Sequence, residues 1–353
     1  SERFQEEVLD LCVGCKGCAS DCPTGVDMAK LKTEVKHRYH EREGISPRER
    51  VFGNVHRVSA IGSALAPLSN WAQSLPGADW LGERLLDIAP ERDLPHFRRE
   101  TLVDWFDERG SKVSAPEADR HVVLYPDTYT NYSYPEPGKA AVRVLEAAGV
   151  HVQVLDLGPT GRPAFSQGML DAARDRARDT VDALAPRVDD GWEVVFIEPS
   201  DAVMLQDEYL DFFPEDEAAH QLAEHAYGVC EYLDVNRLDE AVDWDTPDEA
   251  LAYHGHCNQQ AVGRDHHAVG VLRRAGYAVD PLDSTCCGMA GSFGYEAEHY
   301  DLSKAIGRVL YDQVDDSDGD TVVAPGASCR TQLDDHVDDP PHPVEKLAGA
   351  LGQ

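Results

Sequence analysis

The sequence predicts a small helical segment built around cysteines, followed by an α/β part assembled from two similar halves. Four cysteines are packed between Cys12 and Cys22 near the start. From His121 onward, short apolar runs alternate with amphipathic helical stretches, the pattern of parallel strands joined by crossover helices. The stretch Ala148-Gly149-Val150 also returns as Ala275-Gly276-Tyr277, with its flanking elements in the same order.

The N-terminal run reads Cys12-Val13-Gly14-Cys15-Lys16-Gly17-Cys18-Ala19-Ser20-Asp21-Cys22-Pro23. This C-x2-C-x2-C-x3-C-P spacing is the one that holds [4Fe–4S] clusters in bacterial ferredoxins. Cysteines three apart reach one small inorganic core, and Gly14 and Gly17 let the backbone wrap it closely. A zinc ribbon needs two well-separated knuckles, which this run lacks. In two-cluster ferredoxins the fourth cysteine serves the other cluster. Cys22 therefore either closes the local cluster or serves one completed by cysteines elsewhere. The chain begins at Ser1 in what reads as the middle of a helix, Arg3 to Leu11, so a preceding segment is expected.

With 353 residues the chain is long enough for two or three domains. Its formal net charge is −33, against 42% hydrophobic residues. That charge opposes compaction in dilute buffer and is screened at high salt, where the Debye length falls to about 3 Å, so a halophilic cytoplasm is expected. The same charge excludes nucleic acid as a partner. No stretch reads as a signal peptide or a membrane span. Thiolate ligands rather than disulfides are the expected use of the cysteines.

After Pro23 a helix is expected from Val26 to Glu43. Its Lys30, Lys32, Lys36, Arg38 and Arg42 form either a solvated face or a docking surface for an acidic domain or anionic membrane. Ser59 to Ala78 carries no charge, and Ile61, Leu65, Leu68, Trp71 and Leu75 recur at helical spacing. A core helix is the expectation, with a membrane-surface or quinone-contacting helix as the alternative. Pro90 to Asp119 reads as a charged linker with one short helix.

Strands are then predicted at His121–Tyr125, His151–Leu155 and Val194–Ile197, with helices at 138–148 and 168–184. One helix is predicted over Glu215–Leu233. The second half repeats the pattern: strands Leu251–His254, Ala278–Leu282 and Thr321–Ala324, with helices at 267–275, 296–314 and 344–351. The repeat sets Thr128 near Cys257, Pro159-Thr160-Gly161 against Cys286-Cys287-Gly288, and Asp201 near Cys329. Only the second half keeps its thiols.

Cys257, Cys286, Cys287 and Cys329 form a second constellation. Each follows a predicted strand, and strand carboxyl ends gather on one edge of a parallel sheet. A turn relying on Gly288 and Gly291 lets both adjacent cysteines face one site. Four thiolates suit an iron–sulfur cluster or tetrahedral zinc, with His254 and His256 as further ligands or ordinary strand-end histidines. Cys230 reads as a plain core thiol.

Cys257, Cys286-Cys287-Gly288 and Cys329 resemble the CCG cysteine-rich module of heterodisulfide reductase B subunits, anaerobic glycerol-3-phosphate dehydrogenase C subunits and glycolate oxidase iron–sulfur subunits. Ser328-Cys329 stands where many members have CxxC. The N-terminal run, Tyr125-Pro126-Asp127-Thr128, the stretch Cys286 to Tyr295 and His342-Pro343 resemble the C-terminal part of fused FAD/iron–sulfur D-lactate (D-2-hydroxyacid) dehydrogenases. The resemblance implies a ferredoxin-like helical part over 1–58, a helical linker over 59–119, a degenerate first CCG repeat over 120–214 and an intact second one over 215–353. It implies an electron-transfer module rather than a stand-alone catalyst. FAD would sit on an upstream oxidase domain or partner subunit. One [4Fe–4S] cluster would sit at Cys12, Cys15, Cys18 and Cys22, and a second cluster or zinc at the CCG cysteines. A quinone or other acceptor would take the electrons, with peripheral contact at the inner membrane face. The rival readings are a heterodisulfide-reductase-like subunit and a non-catalytic zinc protein. In the first half, Thr160 and Asp201 depart from the thiol pattern.

Overall fold

The computed structural model describes residues 8–283 and 286–352. The expected helix Arg3 to Leu11 lies largely outside them. Two parallel sheets form the framework. The first has the order β2-β1-β3-β4, with β1 His121–Tyr125, β2 His151–Val154, β3 Glu193–Phe196 and β4 Ala226–Gly228. The second has the order β6-β5-β7, with β5 Ala250–Tyr253, β6 Ala278–Pro281 and β7 Thr321–Val323. The pairings match between halves: His121 lies beside His151 as Ala250 lies beside Ala278, and Val122 beside Glu193 as Leu251 beside Thr321. The internal repeat is thus visible as the same strand order used twice.

Alternation along each strand sends side chains to two faces. Val122 and Leu124 join one core, which continues through Tyr253 and Val323 of the second sheet and is closed by helices Pro135–Ala147 and Pro343–Gly349. Val123, Tyr125, Val194 and Phe196 face a second core under helix Leu170–Asp189. On the outer face of the second sheet, Ala252, Val322 and Met289 pack around Cys287 and Cys329. Both faces of the first sheet are covered, as parallel sheets require, whereas the edge strand β6 of the second leaves Ala278, Asp280 and Pro281 exposed.

Two expectations are corrected. The single helix over Glu215–Leu233 is interrupted: helix Glu217–Glu224 ends, β4 adds an edge strand beside β3, and helix Val229–Val235 follows. Gly228 is a poor helix former, and β3 offers the strand backbone partners.

The uncharged stretch from Ser59 is helical, as helices Val55–Ala64, Leu68–Gln73 and Ala78–Leu86, but it is not a core element. Its polarity is inverted. Ser59, Gly62 and Ser63 are buried, while Ile61, Leu68, Trp71 and Leu85 are each more than 60% exposed. Hydrogen bonds explain the orientation. The Ser63 hydroxyl donates to the Arg98 carbonyl, and Asn70 exchanges two hydrogen bonds of 2.8 Å with the Phe97 backbone. Gly62 leaves the space that the Phe97 ring fills. The periodicity in the sequence is real, but the small and polar face is the one that packs. The following linker is also better anchored than expected, because buried Arg92 binds the Gly294 carbonyl and Gln332 of the second half.

Candidate metal centre

The carboxyl ends of both sheets open onto one cavity of about 160 Å³. Cys257, Cys286, Cys287 and Cys329 reach it from the loops after β5, β6 and β7, as the repeat predicts. The N-terminal loop closes the same cavity with Cys12, Gly14 and Lys16.

The second-half thiols form one hydrogen-bonded group. Cys286 contacts Cys257 and Cys287, and Cys287 contacts Cys329 and His254. Ligand atoms of His254, Cys287 and Cys329 all lie within 4.8 Å of one another. Hydrogen bonds from Cys286 and then Cys329 and His254 hold the Cys287 thiol far below its ordinary range, against the effect of burial. Its neighbours are pushed up, Cys286 first by Cys15 and then by Cys257 and Cys287, and Cys329 first by Cys287. A thiolate is therefore favoured at the centre of the group, which is what a metal requires. The turn works as its glycines suggest. Gly288 has φ +87°, and a Cβ there would lie 2.5 Å from the Ser303 carbonyl oxygen. The Gly288 N–H points at Cys286 Sγ, 3.4 Å away.

His256 has a different role from His254. Its Nδ1 accepts the Asn258 N–H at 3.3 Å and caps the short helix that begins at Cys257. Cys230 is buried with its thiol pushed up to about 12 by desolvation, consistent with a core residue.

At the N-terminal run, Gly14 and Lys16 take left-handed backbone conformations, φ +74° and +60°, and curl the loop. The Met28 N–H points at Cys18 Sγ, 3.3 Å away. Cys22 lies beside the Thr24 hydroxyl at 3.2 Å, which with backbone donors draws its thiol down to about 7. Cys15 turns to Cys286, and that hydrogen bond lowers it to about 6. The structure therefore brings the two constellations into direct contact through Cys15 and Cys286. Among the described residues, the groups whose ligand atoms fall within 4.8 Å include His254, Cys287 and Cys329 but no set from the N-terminal run. The curled loop and the N–H aimed at sulfur fit a cluster several ångströms wide; the tight His254 group fits a smaller separation.

The loop is clamped by a residue that cysteine spacing gives no reason to single out. Lys16 is 3% exposed, and its ammonium lies 2.5 Å from Glu208, 2.6 Å from Asp207 and 3.5 Å from Asp27. Lys30 of helix Met28–Glu43 adds bonds to Asp207 and Asp211 at 2.8 and 2.6 Å. Of the basic residues of that helix, Lys30 thus binds carboxylates of the first α/β half of the same chain, while Arg38 is exposed and pairs with Glu34 one turn away.

That half contributes oxygen where the second contributes sulfur. Thr128, Thr160 and Asp201 line the cavity at the positions the repeat assigns to Cys257, Cys287 and Cys329. Glu198 bridges the halves: it accepts the Ala327 N–H at 2.8 Å, at the start of the helix that carries Cys329.

Residues 251–334, which carry this thiol site, match the family model described as a cysteine-rich domain, CCG. Among known proteins, the chain is similar to the anaerobic glycerol-3-phosphate dehydrogenase C subunit of Escherichia coli (strain K12), 28% identical over 93% of this chain and 83% of that protein. It is also similar to the glycolate oxidase iron-sulfur subunit of the same organism, 25% identical over 93% of this chain and 78% of that one. D-2-hydroxyglutarate dehydrogenase of Escherichia coli (strain K12) is 22% identical over 93% of this chain, which spans only 33% of that protein. By their names, two of these similar proteins belong to dehydrogenases and one is an iron-sulfur subunit of an oxidase.

Proposed function

We propose that this chain is the iron–sulfur electron-transfer module of a flavin-dependent D-2-hydroxyacid dehydrogenase of the D-lactate type. The observation that carries this reading is the contact between Cys15 and Cys286, which places two thiol constellations within one ligand of each other. Two of the relatives named above act, by their names, on the 2-hydroxyacids glycolate and D-2-hydroxyglutarate. Cys12, Cys15 and Cys18, with Cys22 for this or a neighbouring cluster, would hold a [4Fe–4S] group in a ferredoxin-like helical part. Cys257, Cys286, Cys287 and Cys329 would hold the second. Such groups supply reversible one-electron storage. The chain's own residues supply thiolates, N–H groups aimed at sulfur and a clamp that fixes the spacing. FAD belongs on a partner or adjoining domain, and a quinone or other acceptor takes the electrons.

The inverted helices support a peripheral contact with a membrane, at its inner face. Trp71, Trp80 and the leucines around them form an exposed apolar ridge, with the Arg84 guanidinium 5.6 Å from the Trp80 ring centroid, on a chain of net charge −33, and exposed apolar patches of this kind mark interaction surfaces. Among the described residues, no helix is long and apolar enough to cross a membrane.

Iron and sulfide analysis of anaerobically purified protein, with electron paramagnetic resonance on the reduced form, tests the relay: two interacting centres are expected. The proximity of His254, Cys287 and Cys329 favours a second reading, zinc at the CCG site. Stoichiometric zinc with iron for no more than one cluster would establish it and remove the relay.

A further inference from the structure

The wall of the cavity opposite the cysteines is built from buried oxygen groups. Asp127, at the end of β1, is 2% exposed; its Oδ1 accepts the Tyr129 and Thr130 N–H groups at 3.0 Å each and caps the helix Thr128–Tyr132. Its other oxygen, Oδ2, is buried, lies on a residue that lines the cavity, and has no hydrogen-bond partner in the protein. Burying a carboxyl oxygen without a partner costs about 1–3 kcal/mol, so such a group points to a ligand or a role. Asp201 stands on the same wall, 8% exposed, and accepts a hydrogen bond from the Thr160 hydroxyl.

Burial, with Asp127 and Glu198 nearby, raises Asp201 to about 8. Burial and Glu198 raise Asp127 to about 6. The wall thus stores a proton at neutral pH, although nothing in single-electron transfer between iron–sulfur groups needs one. One helix spans the distance from this wall to the surface. Helix Val55–Ala64 lines the cavity with Val55 and joins the wall through His56, whose Nδ1 lies 3.2 Å from the Thr128 hydroxyl. The same helix carries Ile61 onto the exposed ridge.

We propose that this wall is the seat of the terminal acceptor, a lipid-soluble carbonyl compound of the quinone class that enters past the ridge and takes its protons from Asp201 and Asp127. The proposal rests on the electron-transfer reading above and assigns its acceptor a place. The stoichiometry closes: the quinone gains two electrons, delivered singly through the iron–sulfur groups held by the facing cysteines, and two protons. Both carbonyl oxygens become hydroxyls: Asp201 gives the one proton it holds and regains it from water, and Asp127 passes the second proton on from water. Asp127 Oδ2 gains the hydrogen-bond partner that the protein does not give it. The loss of thiols from the first half then has a function, since cysteines here would hold metal where a proton donor is required.

The test uses protein reduced anaerobically, freed of reductant and mixed with either decylubiquinone, which needs protons, or ferricyanide, which does not. For Asp201→Asn and Asp127→Asn at unchanged iron content, the ratio of quinone to ferricyanide reduction rates is expected to fall at least tenfold, the low side of general-acid contributions. Two readouts are independent of turnover. Infrared spectra of the unliganded protein at neutral pH should show a protonated carboxyl band that Asp201→Asn removes. Calorimetry should show decylubiquinone binding to the wild type. An unchanged ratio, equal loss of both rates, or no quinone binding by the wild type overturns the proposal. Wild-type protein that holds iron but reduces neither acceptor overturns the electron-transfer reading beneath it.

Discussion

Replacing Lys16 by methionine tests how the N-terminal cysteines are held against the α/β part. The ammonium is the partner of three carboxylates, and its closest one, Glu208, has a side chain only 1% exposed. Removing one partner of a buried ion pair leaves a charge in a poor solvent, which costs about 3–5 kcal/mol. Two features place the expected loss at the lower end. Arg162 lies 3.2 Å from the same Glu208 oxygen, and Lys30 still serves Asp207. Lys16→Met should therefore lose about 3 kcal/mol in urea unfolding followed by fluorescence. The clamp also positions Cys15, so the interaction between the two paramagnetic centres should weaken in the same variant. The double variant Lys16→Met/Glu208→Gln removes both charges, and it should recover about 2 kcal/mol of the loss. A loss below about 1 kcal/mol, or no recovery in the double variant, would refute the reasoning that a buried charge pair holds the loop.

Gly288→Ala puts a methyl against the Ser303 carbonyl at a φ that suits only glycine; metal content at the CCG site should collapse, while the N-terminal cluster's signal persists. Cys22→Ala should leave the iron content nearly unchanged if that thiol serves a neighbouring cluster, and should remove about four irons if it closes the local cube. His299 bonds Asp10 at 3.0 Å and Glu296 at 2.8 Å, and these partners, against the opposing effect of burial, raise its pKa to about 9. Its stabilising contribution is complete below an unfolded pKa of about 6.5 and disappears as pH rises through 9, with an upper bound of about 3 kcal/mol before screening at the half-exposed Asp10. Comparing urea midpoints of wild type and His299→Phe, which keeps the stack on Phe293, should show a gap that closes above about pH 9. With a net charge of −33, the unfolding midpoint should rise steeply between roughly 0.1 and 1 M KCl as the Debye length falls from about 10 to 3 Å. Leu68→Glu with Trp71→Glu should abolish sedimentation with lipid vesicles and leave unfolding midpoints within about 0.5 kcal/mol, because both residues are already exposed.

Much of this molecule was legible from local patterns. The three predicted strands of each half fall within a residue or two of their observed positions, because most of them are buried apolar runs, while exposed β6 is placed by the repeat. The CCG cysteines are predicted to meet because each follows a strand, and strand carboxyl ends converge. β4 was hidden because Ala226, Tyr227 and Gly228 form too short a run to stand out from the helices around it. The helices after Val55 were misassigned because periodicity locates the two faces of a helix without saying which one packs. Phe97 and Arg98, remote in sequence, bind the small and polar face and so decide it.

The sequence by itself determined that four thiols surround a loop near the start, that an α/β unit is used twice, and that only its second copy keeps cysteines. These follow from spacing and period, which are local properties of the chain. Tertiary structure alone decided that Cys15 meets Cys286, that Lys16 is the clamp, and that Asp127 and Asp201 face the cysteines across one cavity. Each depends on contacts between residues far apart in the chain, whose energies come from burial and charge in a shared environment that no short window of sequence contains.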